Sequence, residues 1–144
     1  MVPDFVDGTN LPPGGHRCSW EEVIRRFGRG PVRERLCIEL KTYLDRAKNC
    51  GFLRVAIGGS FSTLKECPGD LDLLFIVPVG TVPAQLSRPC AQLLDTAMSR
   101  PTFGHDFMYC PDNPETVQSL VIGLGYDTSS GKDRGMLIID LEEI

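Results

Sequence analysis

The sequence has no long apolar run and no excess of basic residues. A membrane-spanning helix needs about 20 consecutive apolar residues, and charged residues, prolines and glycines interrupt every apolar stretch well before that length. The formal net charge is −4, whereas domains whose main role is to coat nucleic acid present a basic face. These features argue against a membrane protein and against a general nucleic-acid-coating protein.

The cysteines lack the short spacing that is typical of a metal site. They stand 13 to 23 positions apart, and no two of them form a C-x-x-C pair. The opening residues 1–15 are rich in proline and glycine and lack the apolar segment of a secretory signal peptide. We therefore predict reduced thiols and a cytoplasmic location. The six cysteines are Cys18, Cys37, Cys50, Cys67, Cys90 and Cys110.

Length and composition predict one globular domain. The chain has 144 residues, of which 42% are hydrophobic and 24% are charged, and these values are ordinary for a soluble domain. Residues 1–18 contain three prolines and three glycines, which predict an extended N-terminal lead-in without a helix or a strand. We place a single domain at residues 19–144.

Hydrophobic spacing within this domain predicts alternating helices and strands. Ser19 and Glu22 form a capping-box pattern, which predicts a short helix to about Phe27. From Pro31, apolar residues recur at helical spacing until a stop at 49–51. The remaining pattern predicts strands at 53–57, 71–77, 103–109 and 136–141, helices at 84–98 and 114–122, and a polar turn at 128–133. This order predicts an α/β or α+β domain with one mixed sheet.

A glycine-rich turn lies between the first two predicted strands. Gly58 and Gly59 stand at a strand end, where glycine allows a sharp turn and a close approach of a ligand. The N–H groups of the turn and the Ser60 hydroxyl would form a concave site for phosphate. Lys65 is placed to reach the same phosphate, although an exposed lysine is more often only solvated. Without further acidic residues, the same letters would predict a plain turn.

Two aspartates begin the next predicted strand. Asp70 and Asp72 are two residues apart, so their side chains project from the same face of a strand and their charges repel unless a cation joins them. Hard cations such as Mg²⁺ or Mn²⁺ bind carboxylate oxygens and often share them with substrate phosphates. We therefore predict that the two aspartates bind metal and that the glycine turn binds a nucleoside triphosphate.

The order of these residues resembles the signature of the DNA polymerase beta type nucleotidyltransferases. In this signature a Gly-Ser pair is followed by nine residues and then by two aspartates separated by one apolar residue, as in Gly59-Ser60 and Asp70-Leu71-Asp72 here. The resemblance implies a minimal nucleotidyltransferase fold, with helices behind a mixed sheet and a third catalytic, metal-binding carboxylate on a neighbouring strand. For this third acid we choose Asp106, in F-G-H-D-F-M-Y, with Asp140, in L-I-I-D-L, as the rival.

Longer segments resemble a small bacterial and phage family of nucleotidyltransferase-like proteins. The resemblance implies the same fold and superfamily, and on this basis we expect transfer of a nucleoside monophosphate from a nucleoside triphosphate to a hydroxyl of a protein or an RNA. It also implies a cognate partner protein, as in toxin–antitoxin pairs or phage defence. The similar segments are L-P-P-G-G-H at 11–16, S-W-E-E-V-I-R-R-F-G at 19–28, the segment 59–72, and Y-D-T-S-S-G-K-D-R-G-M-L-I-I-D at 126–140.

Other interpretations stay open. The chain is short for this superfamily, whose larger members add a helical domain that holds the acceptor, so the alternative is a catalytically inactive module that binds a nucleotide or a partner protein. His105 and His16 fit structural roles as well as roles in a site. An RNA acceptor requires one shared face for the arginines near the first helices, namely Arg25, Arg26, Arg29, Arg33 and Arg35.

Overall fold

The computed structural model describes all 144 residues and contains five α-helices, a mixed five-stranded sheet and a two-stranded hairpin. The predicted α+β class is confirmed. The helices are α1 Trp20–Phe27, α2 Pro31–Asn49, α3 Arg88–Leu93, α4 Thr96–Phe103 and α5 Pro114–Gly125. The strands are β1 Gly14–Arg17, β2 Arg54–Gly58, β3 Asp72–Val77, β4 Asp106–Pro111, β5 Tyr126–Asp127, β6 Lys132–Asp133 and β7 Gly135–Asp140.

The sheet has the strand order β1-β7-β2-β3-β4. β2 lies at its centre and runs antiparallel to both β7 and β3, whereas the outer pairs β1–β7 and β3–β4 are parallel. The short strands β5 and β6 pair only with each other. The hairpin is therefore not part of the five-stranded sheet, although it directly precedes β7 in the chain.

Alternating side chains of β3 pack on the two faces of the sheet. Leu73 and Phe75 belong to the larger hydrophobic core, which includes residues of α1, α2 and α3. Leu74 and Ile76 belong to a smaller core with residues of α5. Because side chains alternate along a strand, Asp72 projects toward the α5 side, at the point where β3 begins.

The first two helices follow the sequence signals that predict them. Ser19 accepts a hydrogen bond from the Glu22 N–H, and the Glu22 side chain accepts from the Ser19 N–H, so the predicted capping box is present at α1. Pro31 begins α2, where proline loses no helical hydrogen bond. The apolar residues of α2 are buried against the sheet.

The prediction of one helix over 84–98 is wrong, because two short helices occupy this part of the chain. Pro89 lies in the first turn of α3, and α4 starts anew behind Asp95, which accepts a hydrogen bond from the Met98 N–H. α4 ends at Gly104, whose φ of 77° is left-handed. The strand predicted at 103–109 consequently begins later, at Asp106.

The N-terminal lead-in is also more regular than its proline and glycine content predicts. Residues 14–17 form β1, which pairs with β7 at one edge of the sheet. The local pattern did not predict this strand, because its partner lies about 120 residues away in the chain. None of the five helices combines the length and the apolarity needed to cross a bilayer.

The prediction that all six thiols are reduced is wrong for one pair. Cys50, at the end of α2, and Cys90, in α3, form a disulfide across 40 residues. The other four cysteines are free. Disulfides are typical of oxidising compartments, so the cysteines lend no support to the predicted cytoplasmic location.

Candidate functional site

Strand register brings the predicted site residues to one end of the sheet. Gly58, the last residue of β2, pairs with Asp72, the first residue of β3, and Asp72 pairs with Asp106, the first residue of β4. Since these partners face each other across neighbouring strands, a glycine and two carboxylates form a row. Asp70 lies two residues before β3, and its carboxylate is close enough to Asp72 for its charge to raise the pKa of Asp72.

The guanidinium of Arg100 lies against two of these carboxylates. It pairs with Asp70 through Nη2 and with Asp106 through both Nη2 and Nε, the Nε–Oδ1 distance being 3.1 Å. Arg100 belongs to the last turn of α4. The Ser99 hydroxyl accepts a hydrogen bond from the Phe107 N–H, which ties this helix to β4 beside the carboxylates.

The three carboxyl groups differ in charge state because their surroundings differ. Burial, together with the negative charges of Asp70 and Asp106, raises the pKa of Asp72 to about 6. Hydrogen bonds from Arg100 lower the pKa of Asp106. Asp106 is thus held as a carboxylate, whereas Asp72 carries a charge that its site disfavours in the absence of a cation.

The glycine turn touches the carboxylate row directly. Gly59 has a φ of 67°, and a Cβ at this position would lie 1.9 Å from Asp72 Oδ2. Both the backbone conformation and the space require glycine here. The turn Gly59–Ser62 is a single 3-10 turn, so it is not the start of an α-helix with a dipole. The Ser60 carbonyl accepts hydrogen bonds from the N–H and the hydroxyl of Thr63, which close the turn.

A buried arginine supports the segment that follows the turn. Arg33, in α2, donates hydrogen bonds to four backbone carbonyls, those of Phe27, Phe61, Thr63 and Lys65, over distances of 2.6 to 3.2 Å. Ser62 Oγ also donates to the Gly135 carbonyl, which joins the turn to β7. Arg33 of α2 therefore holds in place the loop that carries the predicted phosphate ligands.

His105 has a structural role at the same end of the sheet. Its Nδ1 accepts the Leu71 N–H at 3.0 Å, so the proton of the neutral ring lies on Nε2, which is 3.4 Å from Glu39 Oε1. The ring is buried against Tyr43 and Phe107. This contact holds the chain just before β3 against β4, and so it aligns the two strands that carry the acids.

Asp72 lines two cavities. A polar cavity of about 680 Å³ extends past Ser60 and Lys65, and a smaller one of about 200 Å³ extends past Asp106 to Met108. A larger cavity, of about 990 Å³, lies around Asp140 and the Arg54–Asp112 ion pair at the other end of β2. The carboxylates, the glycine turn and both smaller cavities share one end of the sheet.

The remaining predicted residues fall in different places. Lys65 lines the polar cavity. Asp140 pairs with Arg54 at the far end of β2, about 13 Å along the strand from Gly58, so it does not join the other acids. His16 lies on β1, with Nε2 2.6 Å from the Pro12 carbonyl oxygen, and it lines neither cavity.

The five arginines near the first helices do not form one free basic face. Arg33 is buried, and Arg26 donates to the carbonyls of Val2 and Pro3. Arg25, Arg29 and Arg35 are exposed.

The donor chemistry of the acidic cluster suits a hard cation. Three carboxylates converge here, and their mutual repulsion contributes to the raised pKa of Asp72. In this structure, however, neither these three side chains nor any other group of three or more histidine, cysteine, aspartate or glutamate side chains is arranged to hold a metal ion. The Arg100 guanidinium lies against two of the acids, Asp70 and Asp106, and supplies the positive charge.

Sequence reasoning missed three residues of this site. Arg100 lies in a helix whose boundaries were wrongly predicted, and a lone arginine carries no motif. Asp127 and Arg134 line both cavities on Asp72 and form an ion pair of 2.8 Å. The available signal for these two was the polar turn predicted at 128–133, which they flank and to which no role was assigned.

The fold and the site together define a class of protein, an α+β domain with an acidic cluster and a glycine turn at one end of a mixed sheet. The chain belongs to a family of unknown function, DUF6932, whose model matches residues 3–140. No curated protein and no solved structure matches the chain. The family has no assigned activity, so the resemblance to nucleotidyltransferases stays a prediction.

Proposed function

We propose that this chain is a metal-dependent nucleotidyltransferase that transfers a nucleoside monophosphate from a nucleoside triphosphate to a hydroxyl of an acceptor. The observation that carries the proposal is the meeting of three carboxylates, Asp70, Asp72 and Asp106, beside the turn at Gly59. The close contact between this turn and Asp72 would bring a phosphate chain and a metal-binding carboxylate together.

Asp70, Asp72 and Asp106 are the proposed ligands of Mg²⁺ or Mn²⁺. When bound, the cations would neutralise charge on the phosphates and on the attacking and leaving oxygens. In the protein alone, Arg100 neutralises part of the negative charge of Asp70 and Asp106. Binding of a divalent cation would therefore require the guanidinium of Arg100 to move away from at least one carboxylate.

Gly58, Gly59, Ser60 and Lys65 are the proposed ligands of the triphosphate. The Ser60 hydroxyl and the Lys65 side chain belong to residues that line the polar cavity next to Asp72. Gly58 and Gly59 have no side chains to block the approach, and backbone N–H groups in a turn are suitable donors for phosphate oxygens.

The proposed reaction is a displacement at the α-phosphorus. The acceptor hydroxyl oxygen forms a bond to the α-phosphorus, the bond to the oxygen that bridges α- and β-phosphorus breaks, and pyrophosphate leaves. Asp106 receives the hydroxyl proton, since it is the most exposed of the three acids, with 52% side-chain exposure. The protein contributes mainly by positioning the reacting groups and by stabilising charge.

The acceptor in this proposal is a protein or an RNA that docks beside Asp106. A partner protein is favoured over RNA, because Arg26 and Arg33 are engaged in bonds within the chain and are not free for phosphate contacts. A toxin–antitoxin or phage-defence role with a cognate partner is part of the same proposal. The proposed reaction needs nucleoside triphosphates, which agrees with the predicted cytoplasmic location.

One observation favours a second candidate, an inactive module that binds a nucleotide or a partner protein. Arg100 occupies the space between Asp70 and Asp106. If the guanidinium replaces the metal permanently, the chain would bind no divalent cation and would catalyse no transfer.

Equilibrium dialysis of ATP with Mg²⁺ tests the first proposal. We expect the wild-type chain to retain ATP and the Asp72→Asn variant to lose most of this binding. Asp140→Asn is the matched control, because this acid lies at the other end of the sheet. Equal retention of ATP by the wild type and by Asp72→Asn would refute the proposed site. With a partner protein present, release of pyrophosphate from ATP should require Asp106.

Mn²⁺ titration followed by electron paramagnetic resonance separates the two candidates. An enzyme is expected to bind Mn²⁺ in its wild-type form, and Arg100→Met should bind it more tightly because the competing cation is gone. The inactive module predicts Mn²⁺ binding by Arg100→Met alone. Arg35→Met, which changes an exposed arginine that forms no ion pair with the acids, should behave like the wild type.

A further inference from the structure

Residues 126–135, which include the polar turn predicted at 128–133, form a wall of the cavities on Asp72. It folds as the hairpin β5–β6, and its residues Asp127 and Arg134 line both cavities. Ser129 adds to the lining of the polar cavity. The nucleotide ligands proposed above all come from segment 58–65, so the hairpin supplies the cavities with groups that still lack a role.

We propose that Arg134 binds the phosphate chain of the nucleotide in the polar cavity. This inference deepens the proposed function and rests on it. The polar cavity has two cationic side chains, Lys65 from the loop after the glycine turn and Arg134 from the end of the hairpin. An arginine can offer two parallel N–H groups to one phosphate, which a lysine cannot do.

The backbone of Arg134 is held firmly. Its N–H donates to the Gly125 carbonyl at 2.7 Å. A Cβ on Gly125 would lie 2.2 Å from the Arg134 carbonyl oxygen, and a Cβ on Gly135 would lie 2.2 Å from the Pro12 carbonyl oxygen. Two close backbone contacts therefore fix the position from which the side chain enters the cavities.

The guanidinium of Arg134 is only partly used within the protein. Nη2 donates to Asp127 Oδ2 at 2.8 Å, while Nε is buried without any hydrogen-bond partner. A buried donor without an acceptor carries a free-energy penalty. A phosphate that draws the guanidinium into the cavity would relieve this penalty.

Asp127 holds Arg134 in the protein alone. Its carboxylate also accepts hydrogen bonds from the hydroxyls of Ser129 and Ser130. These bonds keep the pKa of Asp127 low, at about 2, so it is charged at neutral pH. Because the serine bonds remain when Arg134 turns away, the aspartate keeps partners after the ion pair opens. The ion pair can thus orient the arginine without committing all its donors.

The test compares two variants that break the same ion pair from opposite sides. Arg134→Met removes the proposed phosphate ligand, whereas Asp127→Asn removes the ion-pair partner and one negative charge and keeps an oxygen that accepts hydrogen bonds from the serine hydroxyls. Isothermal titration calorimetry measures binding of Mg²⁺–ATP and of inorganic tripolyphosphate to each. We expect Arg134→Met to weaken the binding of both ligands about 10- to 100-fold. Asp127→Asn should bind them at least as tightly as the wild type.

Lys132→Met is the control, because Lys132 belongs to the same hairpin but its ammonium lies 3.4 Å from Asp7 and it lines neither cavity. It should bind both ligands as the wild type does. If a thermal melt shows that Arg134→Met is unfolded, Arg134→Lys takes its place. Its affinity for both ligands should fall about three- to tenfold, because lysine lacks the forked donor of arginine.

Equal losses in Arg134→Met and Asp127→Asn would overturn the inference, because they would mean that the ion pair only stabilises the hairpin. Wild-type affinity in a folded Arg134→Met or Arg134→Lys variant would also overturn it, while leaving the nucleotide site intact. If the wild-type chain itself binds neither ligand, the proposed function fails and this inference fails with it.

Discussion

Replacing Asp72 with asparagine should make the metal-free protein more stable at neutral pH. Asp72 is half-buried and faces the charges of Asp70 and Asp106, so the folded state disfavours its ionised form. Asparagine has nearly the same shape, and its amide can donate to the neighbouring Asp106 carboxylate. Few substitutions at a structural residue stabilise a fold in this way, whereas groups at functional sites often reduce stability.

The magnitude follows from the pKa of Asp72. It rises from an ordinary value of 3.8 to about 6 on folding, and this difference corresponds to about 3 kcal/mol at most. Because the folded chain holds the proton more tightly than the unfolded chain, the wild type loses stability as pH rises from about 4 to about 6. Above that range the loss is complete. Asp72→Asn should therefore be about 1 to 3 kcal/mol more stable at pH 7.5 and equally stable below pH 4.

Urea unfolding with a chelator present measures this difference at pH 7.5, 5 and 3.5. Asp4→Asn makes the same chemical change at an exposed aspartate and should leave the unfolding free energy nearly unchanged. With Mg²⁺ in place of the chelator, the wild type should gain stability and Asp72→Asn should gain less. A variant that is less stable than the wild type at pH 7.5, or whose gain persists at pH 3.5, would refute the reasoning.

Three more predictions concern the supports of the site. Gly59→Ala should lower the melting temperature and weaken ATP binding at least tenfold, because the added methyl group would collide with the Asp72 carboxylate. Gly80→Ala is the control, since Gly80 has a similar φ but open space around it, and its unfolding free energy should fall by only about 1–2 kcal/mol. Arg33→Met leaves four carbonyls without their donor and should reduce the unfolding free energy by about 3 kcal/mol or more, measured by urea unfolding. Replacing both Cys50 and Cys90 with serine should reduce it by about 4 kcal/mol, and a reducing agent should then destabilise only the wild type.

The elements that depend on neighbours in the chain were predictable from the sequence. The Ser19–Glu22 capping box and the long helix from Pro31 appear as expected, since their signals lie within one or two helical turns. The same holds for the two strands around the glycine turn. The predicted helix at 84–98 contains Pro89, but the break at Asp95 depends on how α4 packs against β4.

The sequence by itself determined which residues could form an acidic cluster beside a turn. Alternation along a strand places Asp70 and Asp72 on one side, and adjacent glycines allow the close turn; both follow from backbone geometry over a few residues. Which third acid joins them was open, because Asp106 and Asp140 both lie in strands.

Only the tertiary structure decided between the two acids, through strand order and register. β4 pairs in parallel with β3, so both strands begin at the same end of the sheet and Asp106 meets Asp72, while Asp140 ends β7 at the opposite end. The packing of α4 brings Arg100 to the acids, and the hairpin brings Arg134 to the cavities. These contacts join residues that are far apart in the chain, and their positions follow from packing of the whole core, which no local pattern encodes.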